Sequence, residues 1–171
     1  MNTHPSALSS CAALLAVLLA APARAQAPPS PLEIKSIAEV LSRATEPKSA
    51  QGGRAGVELV PADRVVPGDR VIYTLEVRNS GATAVDAPNF SYPIPEHMRY
   101  VADSAVGPGA EVSYSVDGGH NFARAENLKV KGPDGKLRPA VAADYTDIRW
   151  QMKNSLKANS VAFVRFRTLV K

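Results

Sequence analysis

The sequence predicts an all-β protein, an antiparallel β-sandwich. Three observations carry this. Apolar residues recur at period two in short runs, the runs are spaced roughly ten residues apart, and Gly, Pro and Asp clusters separate them. The clearest run is Val66-Pro67-Gly68-Asp69-Arg70-Val71-Ile72-Tyr73-Thr74-Leu75-Glu76-Val77-Arg78-Asn79-Ser80-Gly81. It opens on one turn signal, Pro-Gly-Asp, and closes on another, Asn-Ser-Gly. Val71, Tyr73, Leu75 and Val77 share one face, and Arg70, Thr74, Glu76 and Arg78 the other, with Ile72 as the exception. A half-buried strand of this length belongs at the centre of a sheet.

The first 25 residues read as a cleaved signal peptide. Cys11 to Ala21 is an unbroken small and apolar run, and Ala23-x-Ala25 follows it with the small residues that cleavage needs. The n-region is atypical, since Met1 to Ser10 holds no Lys or Arg. The run is short for a membrane anchor. Leu8-Ser9-Ser10-Cys11 looks like a lipobox, but this Cys precedes the apolar run instead of following it. Export with cleavage after Ala25 is the expectation, with a periplasmic or secreted product.

Composition narrows the function. Cys11 is the only cysteine, so the mature chain has no disulfide, no Cys-based zinc site and no Cys nucleophile. The chain carries 20 basic and 16 acidic residues; losing Arg24 with the leader takes the net charge from +4 to +3. That excess is spread out with no basic cluster, which argues against nucleic acid as partner. Nothing after residue 25 is apolar for long enough to span a membrane.

Residues 26–56 are expected to form a Pro-rich leader and an N-terminal strand or hairpin. Leu32 to Leu41 fits two periods. Leu32 and Ile34 alternate with charges as in a strand, while Ile34, Ile37, Val40 and Leu41 fit helical spacing. The strand is favoured, because Val57-Glu58-Leu59-Val60-Pro61 supplies a partner across the Gly52-Gly53 turn. Pro61 places that second strand at an edge.

Residues 57–171 are expected to form the sandwich. Val85, Ala87, Asn89 and Ser91 alternate weakly with Phe90, Tyr92 and Ile94, and Pro93-Ile94-Pro95 ends the strand. Met98 to Val101 is a short strand. Glu111 to Val116 turns Val112, Tyr114 and Val116 inward, and Asp117-Gly118-Gly119 follows as a hairpin turn with Asn121-Phe122 beginning the return. Residues 131–144 read as a loop. Ile148, Trp150 and Met152 share the inner face of the next strand. The last strand, Val161 to Val170, opens apolar on both faces, which suggests burial at its start; then Arg165, Arg167 and Leu169 alternate with Val164, Phe166 and Thr168. Strands at this spacing with no convincing helix in the second half indicate a sandwich of immunoglobulin type.

Pro67-Gly68-Asp69-x-Val71-x-Tyr73-Thr74-Leu75-x-Val77-x-Asn79-x-Gly81, followed by Pro93-Ile94-Pro95-x-x-Met98-x-Tyr100-Val101, resembles the bacterial conserved repeat domain, domain of unknown function eleven. Ser115-Val116-Asp117-Gly118-Gly119-x-x-Phe122 and Ile148-Arg149-Trp150 look like its later segments, so the resemblance covers about residues 57 to 170. It implies an immunoglobulin-like module of cell-surface and exported proteins, without known catalysis. The chain departs from the pattern at Tyr92, where the family usually has Asp. It also holds one copy where the family tends to repeat in tandem.

Residues with chemical potential are few. His97 and His120 are the only histidines of the mature chain, and no Gly-x-Ser-x-Gly elbow is present. Both read as exposed turn residues. Glu111 with Asp117, and Asp144 with Asp147, are the carboxylates that could pair for hydrolysis. Asp117, Asp134, Asp144 and Asp147 lie in or beside loops, where calcium takes its oxygens, but no EF-hand spacing accompanies them. Trp150 is either a stacking platform or a core anchor, and its company favours the core. Arg165 and Arg167 form either an anion-binding stripe or a solvated face that discourages edge-to-edge pairing. The sequence assigns no catalytic, cofactor-binding or metal residue and requires no cofactor. It leads to an exported, non-catalytic module of the envelope that binds an envelope or surface protein or serves a structural role. A calcium- or carbohydrate-binding module, or an envelope hydrolase, is the alternative.

Overall fold

A computed structural model describes residues 31–43 and 57–171, with the side chains of 41–43 and 57–58 outside that description. The expected signal peptide, the Pro-rich leader up to residue 30 and the Gly52-Gly53 turn also lie outside it. The described chain is all-β: β1 (Leu32–Arg43), β2 (Val57–Pro61), β3 (Arg70–Asn79), β4 (Asn89–Pro93), β5 (Met98–Tyr100), β6 (Ala110–Ser115), β7 (Lys129–Lys131), β8 (Leu137–Pro139), β9 (Asp147–Met152) and β10 (Val161–Val170). No helix among the described residues is long and apolar enough to cross a membrane.

Two sheets face each other as an immunoglobulin-like sandwich. The larger runs β2-β1-β3-β10-β5 and the smaller β4-β9-β6, all antiparallel. The predicted central strand is central, with β3 paired to β1 on one side and β10 on the other. Its alternation is realised: Val71, Leu75 and Val77 are fully buried. The core between the sheets is aromatic. Tyr73 stacks on Phe166 with centroids 4.9 Å apart, Trp150 stacks on Phe90 at 5.9 Å, and Trp150 tilts against Phe166 at 6.1 Å. Trp150 is 0 % exposed and is the core anchor its neighbours suggested.

The motif residues prove to be structural devices. Asp69 accepts from the Val66 N–H through its carboxylate, while Gly68 at φ 95° donates to the Val170 carbonyl. This turn ties the entry of β3 to the exit of β10. At the far end Asn79 is fully buried. Its Nδ2 donates to the carbonyls of Thr83, Leu156 and Lys157, and its Oδ1 accepts from the Gly81 N–H. One amide side chain thus pins two loops. A Cβ at Gly81 would come within 2.9 Å of Pro31, so only glycine lets the start of β1 lie there.

Four details differ from the sequence reading. β1 pairs with β3 over Leu32 to Val40 as well as with β2, so this strand, placed ahead of the expected boundary at 57, is an interior member of the sheet. The expected loop 131–144 contains β8, which pairs with β7 across a Gly132–Gly135 turn, and a short 3₁₀ turn at Ala142–Asp144. The return after Asp117-Gly118-Gly119 makes one bridge, Tyr114 to Ala123, and then leaves the sheet. Finally, β10 is not buried on both faces at its start. Phe163 is 51 % exposed, because it points to the outer face, over which none of the described residues forms a layer.

Candidate functional site

Most of the residues with chemical potential are committed to the fold. Asp117 accepts from the Asn121 backbone N–H at 2.9 Å, from the Ser115 hydroxyl at 2.7 Å and from Asn121 Nδ2 at 2.7 Å. These bonds, the Asn121 backbone one first, hold its carboxyl well below the usual carboxylate range. Ser115 Oγ in turn accepts from the Asp117 and Gly119 N–H groups, closing the turn in which Gly118 and Gly119 take positive φ. His120 sits on this turn with Nδ1 2.6 Å from the Asp117 carbonyl. Asp144 is bidentate with Arg138 at 2.7 and 2.8 Å and also accepts from the Val141 N–H; the arginine is the main cause of its lowered pKa. Asp134 caps the Lys136 N–H. Glu111 lies between Lys153 and Arg124 on the surface, and the Lys153 bond lowers its pKa. His97 is exposed and its carbonyl accepts from the Lys171 N–H. Asp147, on β9, faces the Gly119 backbone. Among the described residues no group of three or more His, Cys, Asp or Glu is arranged to hold a metal ion.

Arg165 and Arg167 are placed differently. Both project from β10 on the outer face of the larger sheet. β10 lies between β3 and β5, so these arginines do not guard an edge, as the sequence reading supposed. Arg165 Nε donates to Thr74 Oγ1 across the strand pair at 3.0 Å. Neither guanidinium has a carboxylate within ion-pair distance among the described residues.

A break in the edge strand opens a cleft beside them. After β5 the chain continues along β10, with the Val101 N–H on the Arg167 carbonyl and the Val106 N–H on the Arg165 carbonyl. Between these points Asp103 takes φ 57° and the backbone swings away. The Ser104 hydroxyl bridges the gap: it donates to the Val101 carbonyl at 2.6 Å and accepts from the Arg167 N–H at 3.0 Å. The result is a cavity of about 280 Å³ with Ile72 and Val106 as its apolar walls and Arg165, Arg167 and Asp103 as its charges. Val106 is 56 % exposed and Phe163, next along β10 on the same face, is also open to solvent. Ile72, the exception in the alternation of β3, is a wall of this cleft. That irregularity was the sequence signal for an outer-face feature. The contribution of Val101–Val106 left no such signal, since it depends on a turn formed against a strand more than fifty residues away.

Comparison with family models, with curated proteins and with solved structures finds no match for this chain.

Proposed function

We propose that the chain is an exported, non-catalytic module of the bacterial envelope type, resembling the conserved repeat domain, that works by holding a protein partner on the outer face of its larger sheet. The observation that carries this is the outer face of the larger sheet, which no layer of the described residues covers. Phe163 and Val106 stand exposed on the face that carries two arginines with no carboxylate partner among the described residues, and Val106 with Ile72 gives the mixed, partly charged cleft its apolar walls. Exposed aromatic and arginine side chains beside a small cleft of mixed polarity are the composition of a protein-binding hot spot. The arginine pair favours a segment bearing a carboxylate. The signal-peptide pattern of residues 1–25 supports export. Calcium, carbohydrate and hydrolase readings gain nothing from Asp117 and Asp144, whose oxygens already accept protein hydrogen bonds.

The test is site-specific photocrosslinking in living cells with the crosslinker at position 163. A discrete adduct that disappears in the Arg165→Glu/Arg167→Glu variant is expected, together with a mature N-terminus at Gln26. An adduct-free protein, or one that starts at Met1 in the soluble cytoplasm, contradicts the proposal.

A further inference from the structure

The strand register fixes how the side chains of the outer-face cleft stand to one another. Arg167 pairs directly with Ile72 and Arg165 with Thr74 across β10 and β3, and on the other side Val106 bridges to Arg165. Directly paired residues share a face of the sheet. The two arginines follow each other by two positions along β10, about 7 Å. Val106 therefore lies beside one arginine and Ile72 beside the other, at diagonal corners of the pair. Arg165 commits its Nε–H to Thr74 Oγ1, and Thr74 is itself buried. That bond sets the plane of the guanidinium and leaves both Nη groups over. No described residue accepts from those Nη groups or from the Arg167 guanidinium, and no described carboxylate lies within ion-pair distance of either. Asp103, from the edge segment, adds one carboxylate to the lining.

We infer that the cleft takes the carboxyl-terminal residue of the partner, an apolar residue with its free α-carboxylate. The inference rests on the proposed reading of the outer face as a partner-binding face and specifies what enters its cleft. Size comes first. A volume of about 280 Å³ lies below the roughly 300–1,000 Å³ of ordinary ligand pockets, so the cleft suits one residue better than a folded surface. Charge comes second. Two guanidiniums about 7 Å apart, with donors left over on both, match one carboxylate with two oxygens. The third element is the pairing of charge with apolar walls. A terminal Leu, Val or Phe carries its carboxylate and its apolar side chain on one Cα, so the carboxylate reaches the arginines while the side chain lies on Ile72 or Val106. An internal Asp or Glu has its carboxylate at the tip of the side chain. Its nearest apolar neighbour on the same side is two residues away, about 7 Å further along. A chain end also needs only one way out of the cleft, and Phe163, the next outer-face residue of β10, lies along one such way. The amide N–H of the terminal residue then has the Asp103 carboxylate as an acceptor. Capture of a terminal carboxylate is an established mode of peptide recognition, and here side-chain forks supply the donors.

The test is fluorescence anisotropy of the purified mature protein with a labelled peptide, Gly-Ser-Gly-Ser-Gly-Leu, ending in a free carboxylate. Saturable binding is expected, and the same peptide with an amidated end should bind about tenfold more weakly or worse. Arg165→Gln and Arg167→Gln should each impose a similar loss on the free acid and none on the amide, with circular dichroism as the check on folding. Asp103→Asn keeps an acceptor and tolerates the positive φ of that position, so it should bind the free acid at least as well. Equal binding of acid and amide overturns the inference. So does an amidated peptide with an internal Glu that binds as well as the free acid, which would assign the arginines to a side-chain carboxylate. Free leucine that binds more tightly than the peptide and loses affinity in Asp103→Asn would make the cleft an amino-acid site and also overturns it. Failure of the free acid to bind does the same, whether the site is not formed or another part of the chain fills it. A crosslinked adduct at position 163 that persists through any of these results leaves the partner reading standing and removes this inference alone.

Discussion

β1 and β3 lie side by side over nine residue pairs, yet equivalent positions on their inner faces have different fates. Val77 and Leu75 on β3 are fully buried, whereas Ile34 and Ser36, their direct neighbours on β1, are exposed. Backbone geometry and side-chain direction are the same. The difference is the layer above: β4 reaches over β3 and nothing among the described residues reaches over the first half of β1. Burial in a sandwich is set by the facing sheet, and a strand's own periodicity only makes it available. The part covered by the facing sheet holds the fold together.

The contrast can be broken at its strongest point. Trp150→Ala, in the covered part, should cost about 3–5 kcal/mol, whereas Ile34→Ala should cost about 1 kcal/mol or less. Denaturant titration of both variants checks this, and equal losses would mean that β1 is covered in solution. Asn79→Ala comes next. It leaves three carbonyls and the Gly81 N–H without their side-chain partner, and about 2–3 kcal/mol should be lost although no apolar contact changes. A loss below about 0.5 kcal/mol would show that water replaces the amide.

A gain is expected at Thr168. It is fully buried on β10 and its hydroxyl has no hydrogen-bond partner among the described residues, so Thr168→Val removes an unsatisfied group at nearly constant volume and should stabilise by about 1 kcal/mol. A destabilised variant would reveal a partner for that oxygen. The smallest effect concerns alkaline pH. Burial pushes the Tyr114 phenol up, with its bond to Tyr100 adding to the shift, and burial also raises Tyr73 and Tyr145. A phenol whose pKa is higher in the folded state stabilises fully below the ordinary value of 10.0, and that contribution is lost as pH rises above it. The melting temperature should therefore fall above about pH 10, and Tyr114→Phe should flatten the fall. An unchanged slope in that variant would place the effect elsewhere.

The same contrast explains what could be read from the sequence. β3 was legible because both its neighbours and the layer above it demand one clean alternation. β1 was ambiguous for a physical reason. With Ile34 exposed on one face and Ile37 on the other, no layer had imposed a period on it, and helix and strand spacing fitted equally. Trp150 was legible through Ile148 and Met152. At Phe163 an apolar run does not mean burial, because its outer half lies on a face that none of the described residues covers. The cleft beside Arg165 and Arg167 was not legible, since Asp103 and Ser104 create it only when their segment is laid along β10.

The contrast between the covered β3 and the exposed start of β1 is the centre of this account, and residue-resolved amide exchange tests it directly. The Leu75 and Val77 amides of β3, fully buried and paired to β10, should exchange only through global unfolding, while those of Ile34 and Ser36 on β1 should exchange much faster. Equal protection of Ile34 and Ser36 with Leu75 and Val77 would contradict the account.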